Sequence, residues 1–287
     1  MSDFCLNNIN TDIKSYNQFI NLYYELKNLR YEKITIDLRT WFGANMSAVL
    51  GGILDSLSST NEIRIIGNPD ILAILKKNQF LAHYGYKNEV DMNDTTVKFL
   101  KLEVSDNMYF NEYISSNLLN KPDLPKMSKL LKKKISESIY EIFVNAQIHS
   151  NTKNIYTCGQ FFPKKSSLEF TIVDMGQGFK SSINKRFNSN LSAIEAIRWS
   201  IKDGNTTKTE TPGGIGLAIL KDFIKLNKGK FQIISDCGAY ELTREQKENY
   251  TEFSRPFPGT VVNMVFRTDD SCLYRFKSEL VEDEDIF

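Results

Sequence analysis

Glu137 to Ser150 reads E-S-I-Y-E-I-F-V-N-A-Q-I-H-S, and the reading of the second half of the chain turns on this stretch. Leu131, Ile135, Ile139 and Phe143 recur every four residues, with Ile142 and Ala146 beside them. That spacing predicts one apolar stripe of an amphipathic helix. Glu137, Glu141, Asn145 and His149 recur at the same interval on nearly the opposite face. A solvated face following Lys129, Lys132, Lys133 and Lys134 would ordinarily continue in Lys and Glu, so an Asn and a His are unexpected there. The lysines, with no aromatics or arginines between them, read as a solvated first turn or two. A carboxylate and a carboxamide four apart stand one turn from each other. Such a pair suits Mg²⁺, which takes few protein oxygens beside phosphate and water. Glu141 would then orient or deprotonate a water beside a γ-phosphate. Taken alone, the pair is better explained as a solvated face.

The motifs that follow change that balance. Asp174-Met175-Gly176-Gln177-Gly178 ends a strand-like run from Leu168 to Val173. Gly213-Gly214-Ile215-Gly216-Leu217 opens a second helix, and Gly259-Thr260 begins a late strand. In this order and spacing the set resembles the GHKL superfamily of ATPases and kinases. The resemblance implies a Bergerat-type α/β sandwich, helices over a mixed sheet, across residues 125–270, with ATP and Mg²⁺ as ligands. It makes Glu141 catalytic, Asn145 the magnesium ligand, and His149 a further member of the nucleotide helix. Asp174, Gly176 and Gly178 become the adenine box, and Gly213, Gly214, Ile215, Gly216 and Leu217 the phosphate loop. Thr260 matches the family's threonine near the adenine. Phe179 to Pro212, with a helical run at Ala193 to Ile201, becomes the ATP lid, from which Lys208 would reach the γ-phosphate. Gly176 and Gly178 are expected at positive φ, letting backbone approach the base. Free N–H groups at the start of the helix after Gly213 to Gly216 favour phosphate oxygens. Met175 stands where the family often has Asn.

Composition is that of an ordinary globular protein: 287 residues, 41% hydrophobic and 25% charged, net charge +1. No field of one sign favours nucleic acid or anionic membranes. The most apolar stretch, Trp41 to Leu54, is interrupted by Asn45 and Ser47 and too short to span a bilayer. No signal peptide is expected. Cys5, Cys158, Cys237 and Cys272 are far apart, which argues for reduced thiols and against zinc. A cytoplasmic location is expected.

Residues 1–105 read as a separate α/β domain. Helical spacing over Asp12 to Leu29, a strand at Lys33 to Leu38, a helix at Ala44 to Leu57, a strand at Glu62 to Ile66 and a helix at Ile71 to Lys77 alternate, which implies parallel pairing. With I-T-I-D-L-R ahead of a helix, this half resembles a STAS domain, the fold of anti-sigma-factor antagonists. Ser47 is the hydroxyl nearest the phosphoacceptor position of that family, but the D-S-x-G signature is absent. The region from Asp91 to Leu124 carries a strand at Val97 to Val104, and 106–124 is expected to be a connector packing on both halves. Asp123 and Pro125 predict the start of the nucleotide helix. Residues 271–287 read as an acidic tail, frayed from Glu279 onward.

Two functions remain open. His83 lacks the acidic neighbour of a histidine-kinase phosphoacceptor, and no hairpin of helices precedes the ATPase half. Ile148, where histidine kinases carry a basic residue, brings N-A-x-x-H closer to the anti-sigma-factor serine kinases. The chain is therefore expected to hydrolyse ATP or transfer its γ-phosphate to a protein, with the lid state relayed to the N-terminal domain. The alternative is an ATP-binding interaction module with little turnover. Both call for a protein partner and leave room for a homodimer.

Overall fold

The computed structural model describes residues 2–149, 151–205 and 216–281, the side chains of 149 and 281 excepted. Lys33–Leu38 (β2) has Ile34, Thr35 and Ile36 buried in succession, the pattern of a strand covered on both faces. It pairs in parallel with Ser2–Leu6 (β1) on one side and Glu62–Gly67 (β3) on the other. The parallel pairing is as expected, while β1 was not anticipated. Ile13–Leu26 (α1) and Ser47–Ser58 (α2) make the two crossovers. Asp12 caps α1 by accepting from Ser15 N. Pro69–Lys77 (α3) follows β3, its N-cap Asn68 accepting from Asp70 N.

The second sheet has five strands in the order β4-β6-β7-β9-β8: Thr96–Glu103 (β4), Asn154–Phe162 (β6), Ser167–Asp174 (β7), Glu248–Arg267 (β9) and Lys230–Leu242 (β8). Every neighbouring pair is antiparallel, which corrects the expected mixed sheet. The connectivity explains it. β7 and β8 point the same way, joined through Gly178–Phe187 (α6), Ala193–Ser200 (α7) and Gly216–Leu226 (α8), but β9 folds back from β8 as a hairpin and fills the place between them. A strand inserted that way runs opposite to both neighbours. The late strand, expected to begin at Gly259-Thr260, starts instead at Glu248. The hairpin's pairing shifts register around Asp236, which sits at φ 56°, and then continues to Leu242↔Glu248.

Both faces of this sheet are covered. Lys129–His149 (α5) and α8 lie on one, and Leu131, Ile135, Ile139, Ile142, Phe143 and Ala146 are buried there, the stripe read from the sequence. Phe110, from Asn107–Tyr113 (α4), stacks on Phe143 with ring centroids 4.5 Å apart. Phe110, Tyr113, Ile114, Leu118 and Leu119 all join this core, and Tyr113 Oη donates to the Lys98 carbonyl at 2.7 Å, so the connector packs on α5 and on β4 of the first 105 residues.

The opposite face receives α1 and α2. Helix α2 is buried on nearly all sides, with Val49, Leu50, Ile53 and Leu54 at 0% exposure, as a helix apolar all round must be. One core cluster thus joins the parallel sheet, these helices and Tyr156, Val173, Ile234 and Val261 of the larger sheet. Gly51 and Gly52 permit the approach, because a Cβ at Gly51 would lie 2.7 Å from the Phe99 ring. Ser47, fully buried, takes a hydrogen bond from Asn78 Nδ2 at 3.2 Å and presents no surface hydroxyl.

Two termini of elements differ from expectation. Lys126–Met127 (β5) pairs with Leu273–Tyr274 (β10), so α5 begins at Lys129 and not at Pro125. Ser128 Oγ accepts from Leu131 N at 3.1 Å, taking the capping role expected of Asp123. The expected tail is also partly anchored. Glu279, in Ser278–Val281 (α9), accepts from Ser128 Oγ at 2.8 Å and from Phe276 N at 2.7 Å. Among the described residues no helix is long and apolar enough to cross a membrane.

Candidate functional site

Alternation along β7 sends Phe170 and Ile172 to the α5 face and Val173 to the α2 face, so Asp174 ends the strand on the α5 side. The register sets Ile155, Asp174, Thr260 and Ser235 in one row across β6, β7, β9 and β8. Asp174 is buried, and one carboxylate oxygen accepts from Gly176 N at 3.0 Å. Burial pushes its carboxyl up to about 7, against the pull of the Gly176 N–H and the Thr260 hydroxyl. No cation figures among those influences. Thr260 Oγ1 lies 3.3 Å from Ser235 Oγ, which accepts from Phe179 N at 2.9 Å. A chain of hydrogen bonds therefore runs from the start of α6 to the carboxylate. Ser235 was missed because nothing in its own stretch marks it; only the β8–β9 register brings it to Thr260.

Glycines let this corner close. Gly178 sits at φ 75° and its Cβ would lie 2.8 Å from Ser235 Oγ. Gly259 sits at φ 150°, where a Cβ would fall 2.0 Å from the Asp174 carbonyl oxygen. Gly176 is not among the positive-φ glycines, which corrects that half of the expectation. Its role is the amide donated to Asp174. Met175 turns to the other face, and a Cβ on Gly52 of α2 would meet its Sδ at 3.0 Å.

On the helical side, Glu141 is half-buried in α5 and its Oε2 accepts from Gly216 N at 2.9 Å. The first amide of α8 thus meets the carboxylate expected to be catalytic. A Cβ at Gly216 would come within 2.6 Å of that oxygen, so a larger residue there would push the Glu141 carboxylate aside. Asn145, one turn on, is half-buried, and Leu217 is buried behind Gly216. The structure therefore brings Glu141 to Gly216, and Asp174 to Gly176, Thr260 and Gly178. Lys208, Gly213, Gly214, Ile215 and the side chain of His149 lie outside the described residues. The segment read as a lid holds α6 as well as the expected helix near Ala193. Its α7, closed by a Ser192–Glu195 capping box, lies on the β8–β9 hairpin, with Arg198 4.3 Å above the Tyr250 ring.

The donors present suit a hard cation held jointly with phosphate: one carboxylate and one carboxamide oxygen a turn apart, beside a helix N-terminus. Among the described residues no group of three or more His, Cys, Asp or Glu could hold a metal unaided. Compared with known proteins, the chain matches no family model and no curated protein.

Proposed function

We propose that the protein binds Mg²⁺–ATP in the GHKL manner, between α5, the start of α8 and the Asp174 corner, and hydrolyses it or passes its γ-phosphate to a protein. The observation that carries this reading is Asp174, a buried carboxylate raised to about 7 by burial, with no cation of the described residues among the influences on it. Leaving such a group uncompensated is costly, and perturbed buried carboxylates concentrate at functional sites. An exocyclic amino group of a purine would supply a further donor beside Gly176 N and the Thr260 hydroxyl. When bound, Mg²⁺–ATP would bring the electrophilic γ-phosphorus. Asn145 would lend an oxygen to the ion, and Glu141 would orient the attacking water or hydroxyl and accept its proton. Residues 125–270 are then a Bergerat-type domain, with β4 added at the edge of its sheet. The first half, with its β-α-β-α order, is a STAS-like unit, and the whole is a cytoplasmic switch with a protein partner.

Glu141→Gln is expected to retain ATP affinity, since the amide oxygen can still accept from Gly216 N, while ADP production falls by about 100-fold or more. Wild-type protein that makes no ADP with any partner would count against turnover. The second reading, ATP as a structural ligand of an interaction module, draws on the same contact: Glu141 is engaged by Gly216 rather than standing free as a base.

Coupling to the first half would run through Met175, in the adenine turn and against Gly52 of α2. Gly52→Leu is expected to displace Met175 and weaken ATP binding by about tenfold, the effect of modest overpacking. Adding Met175→Ala should restore most of it, by the logic of a double-mutant cycle. Additive losses would show that the contact carries no coupling.

A further inference from the structure

The face of the larger sheet turned toward the first half holds a charge that ATP binding does not use. Glu169 lies in β7, only 6% exposed. Its Oε2 accepts from Thr11 Oγ1 at 2.7 Å. Burial pushes its carboxyl above the ordinary range, and Lys165, Lys230 and Arg244 pull it only partly back. Lys230 Nζ is committed elsewhere, to the Thr11 carbonyl at 2.6 Å and Glu241 Oε1 at 2.8 Å. Among the described residues no cation forms an ion pair with Glu169.

That carboxylate lines an open cavity of about 310 Å³, together with Thr11, Lys230, Thr243, Arg244 and Val265. Arg244 is exposed, on the turn between β8 and β9, and forms no ion pair among the described residues. Glu169 is its buried acid, while Arg244 and Glu245 are both exposed. With Glu245 also in the wall, it carries two charges of each sign. Lys230 is matched by Glu241, so a ligand with one cationic and one anionic group would meet Glu169 and Arg244 together, where a simple ion would meet one of them. An ammonium offers three donors to a carboxylate and neighbouring hydroxyls, and a guanidinium fork fits a carboxylate with two parallel bonds. Val265 is the one apolar wall, enough for a short side chain. We propose that this cavity binds a small zwitterion of the amino-acid class, its ammonium on Glu169 and its carboxylate on Arg244. The site stands independently of the nucleotide reading, because it lies on the opposite face of the sheet.

Ligand-observed NMR on the full-length chain, with glycine, L-alanine and L-serine against ethylamine and propionate, tests it. Expected is binding of at least one zwitterion, with ethylamine and propionate weaker by at least about tenfold, because each lacks one charged end. Glu169→Gln keeps the acceptor for Thr11 but removes the charge, and Arg244→Gln removes the exposed partner; each should lose the zwitterion. Should Glu169→Gln fail to fold, Arg244→Gln at the surface decides alone. No binding of any zwitterion, equal binding of ethylamine or propionate, or variants that bind like wild type would overturn the proposal.

Discussion

Asp174→Asn is expected to stabilise the unliganded protein above pH 7 and at the same time to strip it of affinity for ATP. Holding a carboxyl at about 7 rather than its ordinary 3.8 corresponds to on the order of 4 kcal/mol of ionisation penalty. Below about pH 4 the carboxyl is protonated both folded and unfolded, so the fold feels no penalty. Between those values the native state keeps a proton that the unfolded chain has lost, so stability falls as pH rises. Above about 7 the loss is complete. Asparagine keeps the acceptor for Gly176 N and can donate to Thr260, yet never ionises. Urea titrations at pH 5 and pH 8.5 should therefore show the variant gaining on wild type as pH rises. Parallel pH dependences would show that the carboxyl is not held up by burial. On the adenine assignment the same change puts an amide donor against an amino donor, a mismatch of about 2–3 kcal/mol. Calorimetry at pH 8 reads that as roughly a 30- to 150-fold weaker complex. Retained affinity would remove Asp174 from the nucleotide site while leaving the stability result intact.

Gly259→Val should damage the fold more than any substitution at the chemical groups. Its Cβ would lie 2.0 Å from the Asp174 carbonyl oxygen and 2.8 Å from Met175 Cα, both backbone atoms that cannot swing away. The positive φ adds strain of about 1–3 kcal/mol, and overpacking adds about 1–3 more. Against a total stability of about 5–15 kcal/mol, such a loss leaves the protein marginal. A large drop in urea midpoint with an unchanged slope is the expected readout. Gly85→Ala is the control: φ is 83° but nothing lies within 4 Å, so only the backbone cost remains. Equal losses at the two positions would mean that the close approach at Gly259 adds no cost beyond the backbone angle.

Much of the architecture is written in local patterns. The four-residue recurrence from Leu131 to Phe143 reports a buried stripe because helix periodicity and burial are both local consequences of side-chain spacing. The strands at β2, β3, β4 and β7 fall within a residue or two of where β-branched and aromatic runs place them. The glycines around Asp174 announce a turn, though only the backbone angles distinguish Gly178, which needs positive φ, from Gly176, which does not. β1 was invisible because five residues with alternating exposure resemble any loop until a partner strand is found. The start of α5 was displaced because Lys126 and Met127 pair with residues nearly 150 positions later.

Sequence alone determined the alternation of helices and strands, the buried stripe of α5, and the glycine-flanked acid at the end of β7. Each depends on residues within a few turns of one another. Tertiary structure decided what no such window contains. It ran β9 back between β7 and β8, which made the sheet antiparallel and set Ser235 beside Thr260. It also slid α2 between two sheets, so that its apolar surface is covered all round and Gly52 meets Met175. Those pairings arise only when distant segments exclude water from one another, and the energy of that exclusion depends on which surfaces meet, not on the order in which they are written.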